Sequence, residues 1–358
     1  MAVANGLSTN GTFAIAHSVR AVALACTLWS AVACTGVRVP DPSNAPLTPT
    51  DLARFAPLPT SLPAAQTITS NAVAAARVEL GRALFHETGL SDGHDVACSS
   101  CHSLDAWGAD GRRVSRGHDG RAGFRNAPSV YNAAGHVAQY WDGRAKDVEA
   151  QAMGPILNPI EFGMQSSEAV IRKLRNSPRY VAAFRAAFAG EAEPITYDNV
   201  GRAIGAFERG LLTPGRWDQF LEGVTTALTP EEQRGLKTFI AVGCANCHAG
   251  TFVGGDRYAI VGEVRPWPTS LDSGRYQITG RMEDLFVFKV PSLRNVAMTA
   301  PYFHDGSVRE LPDAVRMMAN HQLGITLTPI QVERIVAYLN SLTGTVPSSY
   351  IASYSGLR

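Results

Sequence analysis

A five-residue pattern occurs twice in this 358-residue chain, as Cys98-Ser-Ser-Cys101-His102 and as Cys244-Ala-Asn-Cys247-His248. In CxxCH the two thiols add to the vinyl groups of a haem, and the histidine that follows is placed to ligate the iron. Two copies imply two covalent c-type haems, so the chain has to fold around two flat apolar groups. Zinc is the competing reading, because CxxC pairs also make zinc knuckles. A four-cysteine zinc site needs no histidine after each second cysteine, and pairs in such sites stand much closer than the 146 residues seen here. Haem accounts for both features.

The chain is long enough for two modest cores, one per haem. With a net charge of +1, nothing points to nucleic acid. A polar stretch ends at Arg20, and residues 21–33 form an apolar run too short to span a bilayer as a mature helix, so residues 1–34 read as a secretory signal. Ser30-Ala-Val-Ala-Cys34 resembles a lipobox, but Ala31 stands where leucine is usual; lipidation of Cys34 stays open beside simple export. Cys26 and Cys34 lie in this segment, which leaves the mature body only the four haem cysteines and no expected disulfide. Bacterial c-type haem is attached outside the cytoplasm, so the expected compartment is the periplasm.

Proline, threonine and serine crowd residues 37–63 without apolar periodicity, and residues 35–65 read as a linker. Val73, Ala76, Leu80, Ala83 and Leu84 recur at helical spacing up to Phe85, giving a helix that leads into the first CxxCH. Residues 91–132 read as loops over a cofactor, and helices are expected over 168–188 and 197–212. Thr229-Pro230-Glu-Glu232 and Thr328-Pro329-Ile-Gln331 are capping boxes that start helices running to about residues 242 and 342. Between them, residues 250–279 read as a long loop with a short hairpin. The fold class is mainly α: two cytochrome c-like domains, each with one covalent haem and long loops between helices. The first spans 66–213, the second 214–345, and 346–358 is a tail.

The segments between the haem motifs narrow the family. Arg125-Asn-Ala-Pro-Ser, Tyr140-Trp-Asp-Gly-Arg144, Asn158-Pro-Ile-Glu161, Phe288-Lys-Val-Pro-Ser-Leu-Arg-Asn295 and Thr299-Ala-Pro-Tyr-Phe-His-Asp-Gly306 resemble the bacterial di-haem cytochrome c peroxidases over roughly residues 79–342, in order and spacing. The MauG-type enzymes, which mature a tryptophylquinone in methylamine dehydrogenase, share this plan. Phe162 departs from the usual methionine, and the loop 251–279 has no clear counterpart in the pattern.

What the resemblance implies can be set beside each residue's plainer reading. His102 is the proximal ligand of the peroxidatic haem, and Glu161, 20 residues after Trp141, is the acid/base that moves a peroxide proton. Burial near a haem would raise its pKa to suit that task. On its own, a glutamate in a Pro-flanked loop is a solvated charge. Gln151 would donate a hydrogen bond to bound peroxide; otherwise it is a helix-surface amide. Trp141, by default a core aromatic, would carry electrons between the haems.

At the second haem His248 lies below the iron, and methionine as sixth ligand would raise the potential. Met317 and Met318 are both near. Met318 shares a helical face with Leu311, Ala314, Val315 and Gln322, which points it inward with Met317 to its side; the plainer reading of either is core filler, and the resemblance, whose Gln-Leu-Gly matches Gln322-Leu323-Gly324, implies Met318 as the ligand. MauG-type enzymes place a tyrosine there. His118, in a Gly-rich loop, matches the histidine that caps the first iron in the oxidised state of many relatives. The resemblance also implies one calcium, held by the Asn126 side chain and the carbonyls of Thr299 and Pro301.

The leading expectation is reduction of hydrogen peroxide with electrons from a small cytochrome c or cupredoxin. A MauG-like oxidase acting on a partner protein and a non-enzymatic di-haem electron carrier are the alternatives. A homodimer is left open, and a lipid on Cys34 would be the only membrane attachment.

Overall fold

The computed structural model describes residues 45–62, 71–268, 271–352 and 357. The expected signal segment and Cys34 lie outside them. Among the described residues the chain is mainly helical, with one two-stranded antiparallel sheet, Tyr258–Ile260 against Val287–Lys289. The described residues pack as one unit containing two clusters of buried apolar side chains. Leu80, Leu84, Phe85, Phe184 and Ile204 belong to the first, and Trp217, Leu236, Phe239, Ile335 and Tyr338 to the second.

Each cluster is built on the same helix pair. In the first half Asn71–Phe85 packs on Tyr197–Glu208, and in the second Pro230–Ala241 packs on Pro329–Ser341. Both later-half helices carry the predicted capping boxes: Thr229 Oγ1 accepts from the Glu232 N–H and Thr328 Oγ1 from that of Gln331. A single glycine lets each pair approach. A Cβ on Gly81 would overlap the carbonyl oxygen of Ala203, and one on Gly235 that of Arg334.

A second repeated device ties a loop to the end of each pair. Asn132 and Asn295 both adopt left-handed backbone, at φ 63° and 61°. The Asn132 N–H donates to the Leu211 carbonyl, and its Oδ1 accepts from the Thr213 N–H at 3.1 Å. In the same way the Asn295 N–H donates to Leu342, and its Oδ1 accepts from the Gly344 N–H at 2.9 Å. Both side-chain amides then donate to one atom, Thr213 Oγ1, each at 2.9 Å. All three side chains are buried, so the clasp that closes each half also joins them.

The described parts of the stretches expected as a linker and a tail pack against the two clusters. Within 45–62 a capped turn, Pro49–Leu52, leads to Phe55, whose ring packs edge-on against Trp217 at 5.3 Å in the second cluster. Asp51 pairs with Lys237 at 2.8 Å, and the Leu58 N–H donates to Asp218. At the other end Ser348–Ile351 lies on the first cluster, with Tyr350 stacked on Tyr131 and its hydroxyl donating to the Gly210 carbonyl. Proline and serine composition signals lost helix propensity but cannot register a single well-placed aromatic.

The helix expected over 168–188 is two, Ser167–Arg175 and Pro178–Ala187, because Pro178 cannot continue a helix and instead starts one. Helix Val148–Leu157 had no periodic signal, since Gly154 and Pro155 interrupt it. The hairpin expected inside 250–279 supplies only its first strand there; Val287–Lys289 is the partner.

Gly235→Ala tests the helix crossing. Alanine favours an isolated helix by ~1 kcal/mol, but the added methyl meets a backbone oxygen that no rotamer change can move. A net loss of about 1–3 kcal/mol is expected in denaturant unfolding; unchanged or raised stability would refute the close contact.

Candidate active site

Both CxxCH motifs fold into one helical turn. Cys98–Cys101 is a turn of α-helix in which the His102 N–H donates to the Cys98 carbonyl at 2.9 Å; at the second motif the His248 N–H donates to Cys244 at 3.0 Å. A single turn brings residues three apart onto one side, so the paired thiols face together with the histidine next to them. None of the four is in a disulfide.

The histidines are held neutral. His102 Nδ1 lies 3.2 Å from the Gly108 carbonyl, which can only accept, so the proton sits on Nδ1 and Nε2 is left as a ligand atom. Burial depresses the His102 pKa, and at His248 it outweighs the raising effect of the Val253 and Pro291 carbonyls and brings the value to about 4. A neutral imidazole is the form that binds a metal.

Around the first motif the chain assembles a polar cluster. Asn158 Nδ2 donates to Glu161 Oε1 at 2.7 Å, and the Arg144 guanidinium lies 3.4 Å over the Tyr140 ring. Glu161 is close enough to the cysteines to raise both thiol pKa values, and to Tyr140 to raise its phenol. Its own carboxyl is pushed up by burial, against the lowering effects of Arg144 and Asn158. Tyr140 reaches across to donate its hydroxyl to the Gln151 carbonyl at 3.1 Å, so Gln151 joins the cluster through its backbone, on helix Val148–Leu157.

His118 sits in the loop expected, but both ring nitrogens face carboxylates. Nδ1 is 3.2 Å from Asp95, and Nε2 is 3.3 Å from Asp119. Its N–H also donates to the Glu161 carbonyl at 2.6 Å, which links this loop to the proposed acid/base by backbone.

Around the second motif the chain encloses a cavity of about 270 Å³. Cys244, Cys247, His248 and Met318 all line it, whereas Met317, on the same helix Leu311–Leu323, does not. Trp141 lines it from the first half. Its indole Nε1 donates to the Asn126 carbonyl at 2.9 Å, and its own carbonyl accepts from the Lys289 N–H at 2.8 Å. Asn126, Thr299 and Pro301 lie along the same wall. The Asn126 amide nitrogen donates to the Arg112 carbonyl at 2.9 Å, which fixes which end of the side chain is the oxygen. Behind the cavity the buried pair Arg294–Asp218, at 2.8 Å, anchors the loop that follows Pro291.

An apolar space lined by two thiols, a neutral histidine and a methionine sulfur fits a c-type haem, and the thioether suits iron better than zinc. Sequence reasoning gave no role to Tyr140, Arg144 or Asn158, although all three fall inside quoted motifs. What marks them is a packing relation, a guanidinium over a phenol ring, which no spacing rule encodes. Glu208 was missed as well. Only 5% exposed, it is raised to about 8 by burial and by Glu149, and it lies near Cys98.

Comparison with known proteins agrees with this arrangement. The family model for di-haem cytochrome c peroxidase matches residues 75–226. The cytochrome c551 peroxidase of Pseudomonas aeruginosa is 44% identical over 274 residues, covering 75% of this chain and 79% of that one. The protein of the same name from Nitrosomonas europaea is 42% identical over 272 residues, at 75% and 80% coverage. Among solved structures, a MauG-like protein associated with microbial copper homeostasis is 30% identical with a TM-score of 0.70, covering 83% of this chain and 96% of that chain. Likeness of this extent, on a fold that repeats one helix pair and one CxxCH turn in each half, makes the chain a member of the di-haem cytochrome c peroxidase family.

Proposed function

We propose that this chain is a peroxidase that reduces hydrogen peroxide to water with electrons from a small redox protein. The observation that carries the reading is Glu161: a half-buried carboxyl, with its pKa raised by burial, beside the first CxxCH turn. An electron carrier has no use for such a group. The reaction consumes one peroxide, two electrons and two protons and yields two waters.

Each half of the chain is read as one haem domain, 66–213 and 214–345, with thioethers to Cys98 and Cys101 and to Cys244 and Cys247. His102 and His248 would each give a ring nitrogen to an iron, and Met318 would give its sulfur to the second. Haem held at the two motifs would supply the redox chemistry, passing electrons from a donor protein to peroxide. Glu161 takes the proton from the oxygen that stays and returns it to the oxygen that leaves as water. Asn158 aims Oε1, and Arg144 stabilises the carboxylate while it holds no proton. Gln151, on the neighbouring helix, orients peroxide. Trp141 bridges the halves, held at its indole by Asn126 and at its carbonyl by Lys289.

His118, here beside Asp95 and Asp119, would be a further ligand of the first iron in the oxidised state, and Asn126, Thr299 and Pro301 would hold a calcium. The chain is exported to the periplasm on its first 34 residues; among the described residues no helix is long and apolar enough to cross a membrane. The oxidase reading rests on the MauG-like structure. It is weaker here because the chain is more similar to the two named peroxidases and carries Met318 in the cavity.

Mixing peroxide with the half-reduced protein and a reduced small cytochrome tests the assignment; turnover of the donor supports it, and inert haem spectra would end it. Glu161→Gln keeps size and loses the base, so both haem spectra should persist while peroxide turnover falls by ~10² to 10⁴. Near wild-type turnover would remove Glu161 from the mechanism.

The pH dependence follows from the direction of its shift. The working form is the carboxylate and the pKa is raised, so kcat/KM in the wild type should fall as pH drops through a value above the ordinary glutamate range. An acid limb at or below that range would mean that burial does not govern Glu161.

Met318→His should leave the second haem six-coordinate and lower its potential, because imidazole donates to iron more strongly than thioether. A high-potential couple that stays in place in redox titration would transfer the role to Met317.

A further inference from the structure

The cavity around Cys244, Cys247 and His248 has an unusual charge pattern. No aspartate or glutamate lines it, yet Lys289, His136 and His304 do. Lys289 is only 8% exposed, and its ammonium has no hydrogen-bond or ion-pair partner among the described residues. Burial alone brings its pKa down to about 8, with no acidic group acting on it. His136 Nε2 and His304 Nε2 are buried without a partner among the described residues. Lys289 is near enough to His136 to depress the ring further. The remaining cation, Arg294, is already paired with Asp218.

Desolvating an ammonium without a counter-charge costs free energy, and folded proteins tend to pair such charges. Here the polypeptide provides no anion, so one has to come from what fills the cavity. The site therefore asks for a largely apolar ligand that carries carboxylate on the side facing Lys289 and His136. A haem is a flat apolar ring with two propionates.

We propose that Lys289 and His136 are the anion-binding pair of the second haem: the Lys289 ammonium pairs with a propionate, and His136 Nε2–H donates to the same carboxylate end. The inference rests on the reading that Cys244, Cys247 and His248 hold a haem. It adds a tuning role. A positive charge beside the haem stabilises the reduced state, which is one unit more negative, so Lys289 raises the potential of the methionine-ligated couple. Lys289 also donates its N–H to the Trp141 carbonyl, so one strand residue fixes both the carboxylate end of the group and the tryptophan between the halves.

The test is redox titration of the holoprotein followed by haem absorbance, for wild type, Lys289→Met and Lys289→Arg. Methionine keeps much of the volume without the charge. It should leave the six-coordinate spectrum intact and lower the reduction equilibrium constant of the high-potential couple by about tenfold, read as 59 mV for one electron. Arginine should restore it. An unchanged midpoint in Lys289→Met with an intact spectrum, or no recovery in Lys289→Arg, would overturn the pairing. If Lys289→Met does not mature, His136→Phe is read in the same way: a fall in the midpoint supports the pair and an unchanged one removes it.

Haem staining after denaturation separates the two levels. A wild type without thioether-bound haem at Cys244 and Cys247 would refute the underlying reading. A stained protein whose potential ignores Lys289 would refute only this inference.

Discussion

Two buried asparagines sharing one hydroxyl hold the molecule in register. Asn132 and Asn295 each satisfy backbone groups at the end of a helix pair, where the last N–H and C=O groups would otherwise be orphaned, and both donate to Thr213 Oγ1. A hydroxyl accepting twice inside a protein is a high-stakes contact, because removing any member leaves buried polar groups unpaired. The loops that carry Trp141, Lys289 and Arg294 lie on either side of this clasp along the chain. Its geometry therefore bears on how the two cysteine motifs face each other.

The two sites differ in their electrostatics although they share a scaffold. The first concentrates titratable groups: Glu161, Tyr140 and Arg144 stand together, and Glu208 is close to Cys98. The second is lined mainly by apolar side chains, with Lys289 and Arg294 but no aspartate or glutamate. In the proposed reading Glu161 is the group whose charge changes for proton transfer, and the apolar walls with a methionine sulfur suit an electron relay. The difference between the sites follows from which side chains each loop contributes, since the helix pairs are alike.

Trp141 shows how packing and transfer coincide. Its indole and its carbonyl are both hydrogen-bonded, its ring meets that of His304 edge-on, and it lines the second cavity together with Tyr140, which also belongs to the first cluster. Tyr140, with left-handed backbone at φ 66°, thus borders both sites.

Much of this was legible in the sequence because it is local. CxxCH is a one-turn motif, and Thr-Pro-x-Glu and Thr-Pro-x-Gln satisfy their own helix ends, so the two cysteine turns and the later-half helices followed from neighbouring residues. The face shared by Leu311, Ala314, Val315 and Met318 separated two adjacent methionines by periodicity alone, and only Met318 lines the cavity. Other features depended on residues far apart in the chain. Phe55 reaching Trp217, Tyr350 reaching Tyr131, the asparagine clasp and the Arg144–Tyr140 stack involve contacts whose partners no pattern names. The isolation of Lys289 is of the same kind: the sequence shows a lysine between valine and phenylalanine in a strand, while the absence of any acid around it is a property of the enclosed cavity, and only the tertiary structure could decide that.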